Sequence, residues 1–313
     1  MTQMSGKDIL VPLLQVFFGL VMLVGGGEVL VAGASAIAKR LGMRPLIVGM
    51  TIVAFGTSMP ELFVSMGAAL SGHPGIMLGN VIGSNIANIG LVLSLAAIIT
   101  PISCMFSRVR LELGLVLLAG FLVSMAAFFG SLPRIMGLVM IAGLVFYTIF
   151  AIRKRHDENG GGDEGRPLWL SSLMACAGLG LLAWGSGVFI DGAAAVARLF
   201  GVSELVIGLT LAAVGTSLPE LASSLAAVRR KEHDILIGNI VGSNMFNLMM
   251  VMAATALVHP LTLGHDLLVR DLPWMNGFAL LLAALLYFKG RLARWHGVVL
   301  FLAYIVYIFT LGA

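Results

Sequence analysis

One seven-residue phrase occurs twice in this chain. Gly56-Thr57-Ser58-Met59-Pro60-Glu61-Leu62 returns 159 positions later as Gly215-Thr216-Ser217-Leu218-Pro219-Glu220-Leu221. Each copy leads into a second shared phrase, Gly-Asn-x-x-Gly-Ser-Asn-x-x-Asn, at Gly79 to Asn88 and again at Gly238 to Asn247. The register holds without a gap through Gly49/Gly208, Thr51/Thr210 and Ala54/Ala213, and earlier through Gly26/Gly185 and Gly33/Gly192. A chain written twice in one register folds as two like halves. Anything it builds from the repeated residues comes in pairs.

Both copies lie in very apolar surroundings. Hydrophobic residues make up 59% of the chain, charged residues only 11%, and the mean hydropathy is +1.03. Soluble domains carry about 25% charged residues, so this is an all-α integral membrane protein. Loop punctuation gives ten spans of about 20 residues or more. In the first half they lie near 8–38, 45–71, 75–99, 109–130 and 134–152, and in the second near 168–198, 204–228, 234–257, 272–288 and 295–312. The halves are therefore 1–152 and 168–313. They are joined by a glycine-rich, mixed-charge stretch at 153–167 that reads as a linker. Ala32-Gly33-Ala34-Ser35-Ala36 resembles a signal-cleavage site. The long run before it is broken by Gly25-Gly26-Gly27-Glu28 and followed by Lys39 and Arg40, so 8–38 is expected to be a retained span. Cys104 and Cys176 have no metal-type spacing and read as packing residues.

The basic residues test the span count. Alternating the ten spans puts Lys39, Arg40, Arg44, Arg108, Arg110, Arg153, Lys154, Arg155, Arg166, Arg229, Arg230, Lys231, Lys289, Arg291 and Arg294 on one side, fifteen of the nineteen Lys and Arg. Only Lys7, Arg134, Arg198 and Arg270 fall on the other. Positive charge stays on the cytoplasmic face, so both termini are expected outside and the linker inside. The bias also speaks against reading the net charge of +4 as a nucleic-acid surface. Five spans per half is an odd number, so the second half enters the membrane from the opposite face. Inverted repeats of this kind build sites at the membrane midplane.

The repeated phrases fit such a site. Pro60 and Pro219 lack an N–H and clash with the preceding turn. Spans two and seven should therefore break near Gly56–Ser58 and Gly215–Ser217, and the repeats suggest breaks in spans three and eight as well. A break at membrane depth survives only around a protected cavity. Carbonyls freed near Ala54 and Ala213 would carry the negative end of one half-helix. Glu61 and Glu220 begin the next. Each carboxylate at the bilayer centre costs at least ~2.5–3.5 kcal/mol, and such residues usually serve function. Thr57, Ser58, Ser84, Asn88, Thr216, Ser217, Ser243 and Asn247 add neutral oxygens. Calcium takes about 6–8 oxygen ligands, whereas His or Cys at these positions would have pointed to zinc or copper. Two carboxylates balance one Ca2+ or two Na+.

Other residues read less sharply. Asn80, Asn85, Asn239 and Asn244 divide evenly between helix-bridging and functional readings, and Gly79, Gly83, Gly238 and Gly242 suit close packing. Ser65 and Ser224 stand one turn past the glutamates, as supports at most. Glu28 and Asp191 either line an ion path or make interhelical contacts. Glu204 and Arg198 look interfacial, while His73, His233 and His265 lie in loops. Met249, Met250 and Met252 suit packing or lipid contact.

At these residues both halves resemble the alpha-repeats of the calcium/cation antiporter superfamily, in its compact prokaryotic sodium/calcium form. The resemblance covers both halves. It implies ten helices, alternating access, and exchange of external Na+ for internal Ca2+. It also implies four ion positions, held by side chains of Thr57, Ser58, Glu61, Ser84, Asn88, Thr216, Ser217, Glu220, Ser243 and Asn247 and by the carbonyls of Ala54 and Ala213. Asn247 stands where potassium-dependent members have aspartate, which argues against potassium dependence. Ala87 stands where the second half has Phe246, and Gly75 where it has Asp234; neither touches the ligand set. Linker 153–167 is too short for the regulatory domain of animal exchangers. No cofactor, enzymatic step, nucleic acid or protein partner is expected, only the ions and the lipid bilayer. An H+-coupled cation exchanger is the alternative, since two glutamates can titrate. A channel would need a filter-like element, which the sequence lacks, and no His-Glu-x-x-His or Ser/His pairing suggests an intramembrane enzyme.

Overall fold

The computed structural model describes residues 6–153, 166–200, 215–259, 261–264 and 266–311. Its helices are α1 (Gly6–Arg40), α2 (Pro45–Thr57), α3 (Met59–Leu70), α4 (Gly75–Ile99), α5 (Phe106–Phe128), α6 (Arg134–Arg153), α7 (Leu168–Leu199), α8 (Leu218–Arg229), α9 (His233–Val258), α10 (Leu267–Lys289) and α11 (Arg294–Leu311). Among the described residues eight are long and apolar enough to cross a membrane, or nine if the bent pair α2–α3 is counted as one span. The start of the expected seventh span, with Glu204, Gly208, Thr210 and Ala213, lies outside the described residues, as do residues 154–165 of the linker and His265.

Burial sorts the helices into layers. In α9, 94% of the spanning window is buried, and in α4 72%; in α1 the figure is 22%. The two most buried helices are therefore those carrying the second repeated phrase. Exposed large side chains such as Phe17, Phe121, Phe146, Trp184 and Phe309 lie on the outer helices, as expected where lipid replaces water.

Glycines set the closest contacts. Along α1 and α7, Gly19 meets Phe189, Gly26 meets Gly178 and Leu182, and Gly33 meets Ser171 and Ala175. The partner number falls as the first rises, so these counterpart helices cross antiparallel. A Cβ at Gly238 would stand 2.5 Å from the Leu46 carbonyl oxygen, and one at Gly242 2.7 Å from that of Met50. The packing role expected of Gly238 and Gly242 is thus met. For Gly79 and Gly83 no described atom lies within reach, and their counterpart partners, 205, 209 and 213, fall outside the described residues.

Small sheets, not anticipated in an all-α reading, tie the halves together. β1 (Ile102–Ser103) pairs antiparallel with β4 (Arg291–Leu292), and β2 (Ser131–Leu132) with β3 (Leu261–Thr262). Two-residue strands in loops leave no periodic signal, which is why the sequence does not announce them. Helix α5 starts beside the first sheet and ends beside the second. Its 23 residues span about 35 Å, enough to cross the hydrocarbon core. Exchanging the halves carries β1 near β3 and β4 near β2, so one sheet maps onto the other at the opposite end of the molecule.

One expectation is corrected. Spans three and eight are not broken. α4 and α9 run through, each with a π-helical turn, Asn88–Leu93 and Asn247–Met252. No proline interrupts them, so the ladder absorbs an extra residue instead of parting. The backbone repeats even where the residue type does not. Gly72 ends the turn after α3 at φ 76°, and its counterpart Lys231 adopts φ 60°, a region that L side chains enter at a cost.

Candidate functional site

The helix breaks fall where the prolines require. Ser58 has φ −82°, ψ 2°, and Ser217 φ −85°, ψ 1°, so each leaves the helix in the same way. The axis turns by 41° between α2 and α3. Pro60 and Pro219 sit in the first turn of the next helix, where a missing N–H costs nothing. Each deprives the carbonyl four residues earlier of its donor. Those carbonyls belong to Gly56 and Gly215, and Gly215 O accepts a hydrogen bond from Ser186 Oγ at 2.7 Å. The carbonyl of Ala54 is not freed: it accepts the Ser58 N–H at 3.0 Å and faces Thr57 Oγ1 at 3.4 Å. Only its second lone pair remains for another partner.

Past each break, Glu61 and Glu220 enter the first turn of α3 and α8, both completely buried. The two acids belong to one cluster. Ser58 Oγ and Ser243 Oγ each stand 3.4 Å from Glu220 Oε1, one from each half. Thr57 Oγ1 stands 3.5 Å from Ser243 Oγ and donates to Asn239 Oδ1 at 3.2 Å. In the mirrored arrangement Thr216 Oγ1 donates to Asn80 Oδ1 at 3.0 Å, and Ser217 Oγ to Ser84 Oγ at 3.4 Å. Thr216 and Ser84 flank the Glu61 carboxylate. Each half's threonine therefore reaches into the other half.

The asparagines brace this cluster. Asn80 Nδ2 donates to Ser65 Oγ at 2.8 Å and to the Glu61 carbonyl at 3.2 Å. Asn239 Nδ2 donates to Ser223 and Ser224 at 3.1 and 3.3 Å. Asn88 Nδ2 donates to Asn244 Oδ1 at 3.0 Å, and Asn244 Nδ2 to the Asn85 carbonyl at 3.3 Å, joining the π turn of α4 to α9. Asn85 donates locally, to the Val81 carbonyl. The even reading of Asn80, Asn239 and Asn244 thus resolves toward bridging, with Ser65 and Ser224 as their acceptors.

What remains is a set of buried acceptors with no donor among the described residues: both carboxylate oxygens of Glu61, Oε2 of Glu220, and the amide oxygens of Asn85, Asn88 and Asn247. The Asn247 amide nitrogen also has no partner among them. A buried polar atom left alone costs about 1–3 kcal/mol, more when charged. Such atoms are rare and call for an explanation. An oxygen-seeking cation supplies one, since it serves several acceptors at once. Asn88 and Asn247 open their π turns, a distortion often found at functional sites because it re-aims a side chain.

Some functional neighbours escape sequence reading. Ser186 and Ser223 carry no signal beyond being serines. Glu112 was detectable as an acid within an apolar span; Tyr147 Oη donates to it at 2.8 Å and lies 3.4 Å from Met50 Sδ, in the π turn Gly49–Val53 of α2. Glu28 lies away from the cluster and pairs with Arg229 and Arg230 at 3.4 and 3.0 Å. Asp191 is exposed. His73 precedes α4, whereas His233 is the first residue of α9 rather than a loop residue.

Comparison with known proteins bears on this arrangement. The family model described as "Sodium/calcium exchanger protein" matches residues 11–153 and 170–312, one match per half. The chain is 36% identical over 315 residues to the putative antiporter CaxA of Alkalimonas amylolytica, covering 96% of this chain and 99% of that one. It is 30% identical over 350 residues to the sodium/calcium exchanger MaX1 of Methanosarcina acetivorans, covering 97% and 99%. Among solved structures, the sodium-calcium exchanger NCX_Mj soaked without Na+ and Ca2+ superposes with a TM-score of 0.85 at 30% identity, over 96% of this chain and 98% of that one.

Proposed function

The chain belongs to the sodium/calcium exchanger protein family, a family of cation exchangers, and from that premise we propose that it exchanges Na+ for Ca2+ at a single site shared by its two halves. One observation carries the reading: two fully buried glutamates, one per half, stand in one cluster of oxygens, several without a donor among the described residues. The ligands we assign are the side chains of Thr57, Ser58, Glu61, Ser84, Asn88, Thr216, Ser217, Glu220, Ser243 and Asn247, with the carbonyls of Ala54 and Ala213. They are all hard oxygens, which suits Ca2+ and Na+.

Charge gives the coupling. Two carboxylates are neutralised by one Ca2+ or by two Na+, with a further Na+ able to bind neutral oxygens. Closing the site with both carboxylates ionised and no cation would leave two buried charges unpaired, at a cost of several kcal/mol each. Loaded sites are thus free to switch between the faces, and the unloaded site is held back. This makes exchange obligatory without any covalent step. We further propose ten spans in two inverted repeats, supported by the antiparallel crossing of α1 and α7 and by the two sheets that exchange with the halves. The basic residues support both termini outside, residues 153–167 in the cytoplasm, and a place in the cell membrane. Ca2+ efflux is the direction that an inward Na+ gradient would drive.

The counter-ion is tested in proteoliposomes. Ca2+ uptake should follow an outward Na+ gradient and stay at background under a pH gradient alone. Uptake driven by the pH gradient without Na+ would instead establish the H+-coupled alternative. Flux that persists with no ion on the opposite side would make the protein a channel.

A further inference from the structure

One acid within a span stands outside the ion cluster. Glu112, half-buried, is the seventh residue of α5, about 9 Å in from the helix start. An acid at such depth is costly and usually serves function. Buried Tyr147 of α6 donates to Glu112 Oε1 at 2.8 Å. The second half repeats this pair. The offset between the halves grows from 159 to 160 positions along α10, whose π turn Leu267–Asp271 takes in an extra residue that α5 lacks. Strands and glycines record the step. β1 and β3 are 159 apart and β2 and β4 160, while Gly137 of α6 packs on the Ala253 carbonyl and Gly297 of α11 on that of Ser94. In that register Asp271 answers Glu112 and Tyr307 answers Tyr147, and Tyr307 Oη donates to Asp271 Oδ1 at 3.4 Å. Two acids of different length thus reach the same contact, near opposite ends of the molecule.

Tyr147 also reaches α2. Its Oη lies 3.4 Å from Met50 Sδ. The hydroxyl has a single proton, which the shorter contact takes, so Met50 is held by packing. Met50 is completely buried, the second residue of the π turn Gly49–Val53. Its backbone rests on α9: a Cβ at Gly238 would stand 2.9 Å from the Met50 nitrogen, and one at Gly242 2.7 Å from the Met50 carbonyl oxygen. The next residues on α9 are Asn239 and Ser243, the two groups that Thr57 of α2 approaches. Tyr147 therefore presses on a residue whose backbone sets the distance between α2 and the oxygens of α9. The counterpart of Met50 is Leu209, outside the described residues.

We propose that Tyr147 and Glu112 are positioning residues: they hold Met50, and through it the π turn of α2, at the spacing from α9 that lets Thr57 reach Asn239 and Ser243. The consequence for Ca2+ rests on the shared-site reading; the effect on α2 does not. Both are measured on the purified full chain, by deuterium uptake at the amides of residues 49–57 without added ions and by Ca2+ titration. Losing one hydrogen bond in Tyr147→Phe should speed uptake there about 3–10-fold and weaken Ca2+ binding by a similar factor. Glu112→Leu should do the same, and the two changes together should do no more than either alone. Glu112→Gln, whose amide oxygen still accepts from Tyr147, should match the parent in both readouts. Tyr307→Phe, the equivalent change at the other end, should leave residues 49–57 protected. Unchanged uptake in Tyr147→Phe, an equal loss in Glu112→Gln, or equal loosening in Tyr307→Phe would each overturn the proposal. So would a looser α2 with unaltered Ca2+ affinity, the mark of a merely structural contact. A parent that binds no Ca2+ would instead overturn the shared-site reading, and deuterium uptake alone would then decide the role of the pair.

Discussion

Glu61 and Glu220 lie at the centre of the site, but the asparagines beside them are what hold the two halves in register. Asn80 accepts from Thr216 and donates to Ser65 and the Glu61 carbonyl, and Asn239 occupies the mirrored place with Thr57, Ser223 and Ser224. Removing either amide strands several buried groups, each worth about 1–3 kcal/mol. Asn80→Ala and Asn239→Ala should each weaken Ca2+ affinity by at least about 10-fold, and by similar amounts, in equilibrium binding. A large loss in one and none in the other would contradict the mirrored arrangement. Glu28 belongs to a different class. Its partners Arg229 and Arg230 are 66% and 40% exposed at the side chain, where ion pairs contribute about 0–1 kcal/mol. Glu28→Gln should leave Ca2+ affinity within about threefold of the parent in the same titration.

At the scale of elements, contact between backbones decides tolerance. A Cβ at Gly178 would stand 2.5 Å from the Leu30 backbone nitrogen, whereas exposed Gly180 meets no described atom within 4 Å. Gly178→Ala should push α1 and α7 apart and lower the unfolding temperature. Gly180→Ala should be neutral or stabilising by up to about 1 kcal/mol, because alanine is the better helix former. Equal behaviour in thermal unfolding would remove the packing argument. Here the sequence was most legible where the physics is local. Pro60 and Pro219 announced both breaks, and apolar runs announced the spans. The π turns at Asn88 and Asn247 were not legible, because no residue type demands a π turn and helical periodicity continues on either side. Nor were the two sheets, whose strands are two residues long. The break also frees a different carbonyl from the one expected. Proline acts on the residue four earlier, so Gly56 and Gly215 lose their donor while Ala54 keeps Ser58.

For the whole molecule, the repeat, the basic face and the shared cluster support one proposal: two halves of opposite sense enclosing a single cation site. The pairing of Glu61 with Glu220 was legible as a repeat, since each copy brings one carboxylate. That they meet in one cluster was not, because contact across 162 positions, such as Ser58 with Glu220, is set by tertiary packing alone. The orientation can be checked by single cysteines placed in the linker at 153–167. They should react with membrane-permeant thiol reagents in intact cells and resist impermeant ones. Labelling by impermeant reagents would reverse the assignment. The most direct measurement is the stoichiometry of Ca2+ binding to the purified protein, titrated in the parent and in Glu61→Gln and Glu220→Gln. A shared site predicts one Ca2+ per chain, displaced by Na+, and lost almost completely in either single variant. Two Ca2+ per chain, with one kept in each variant, would mean two independent sites and contradict the account.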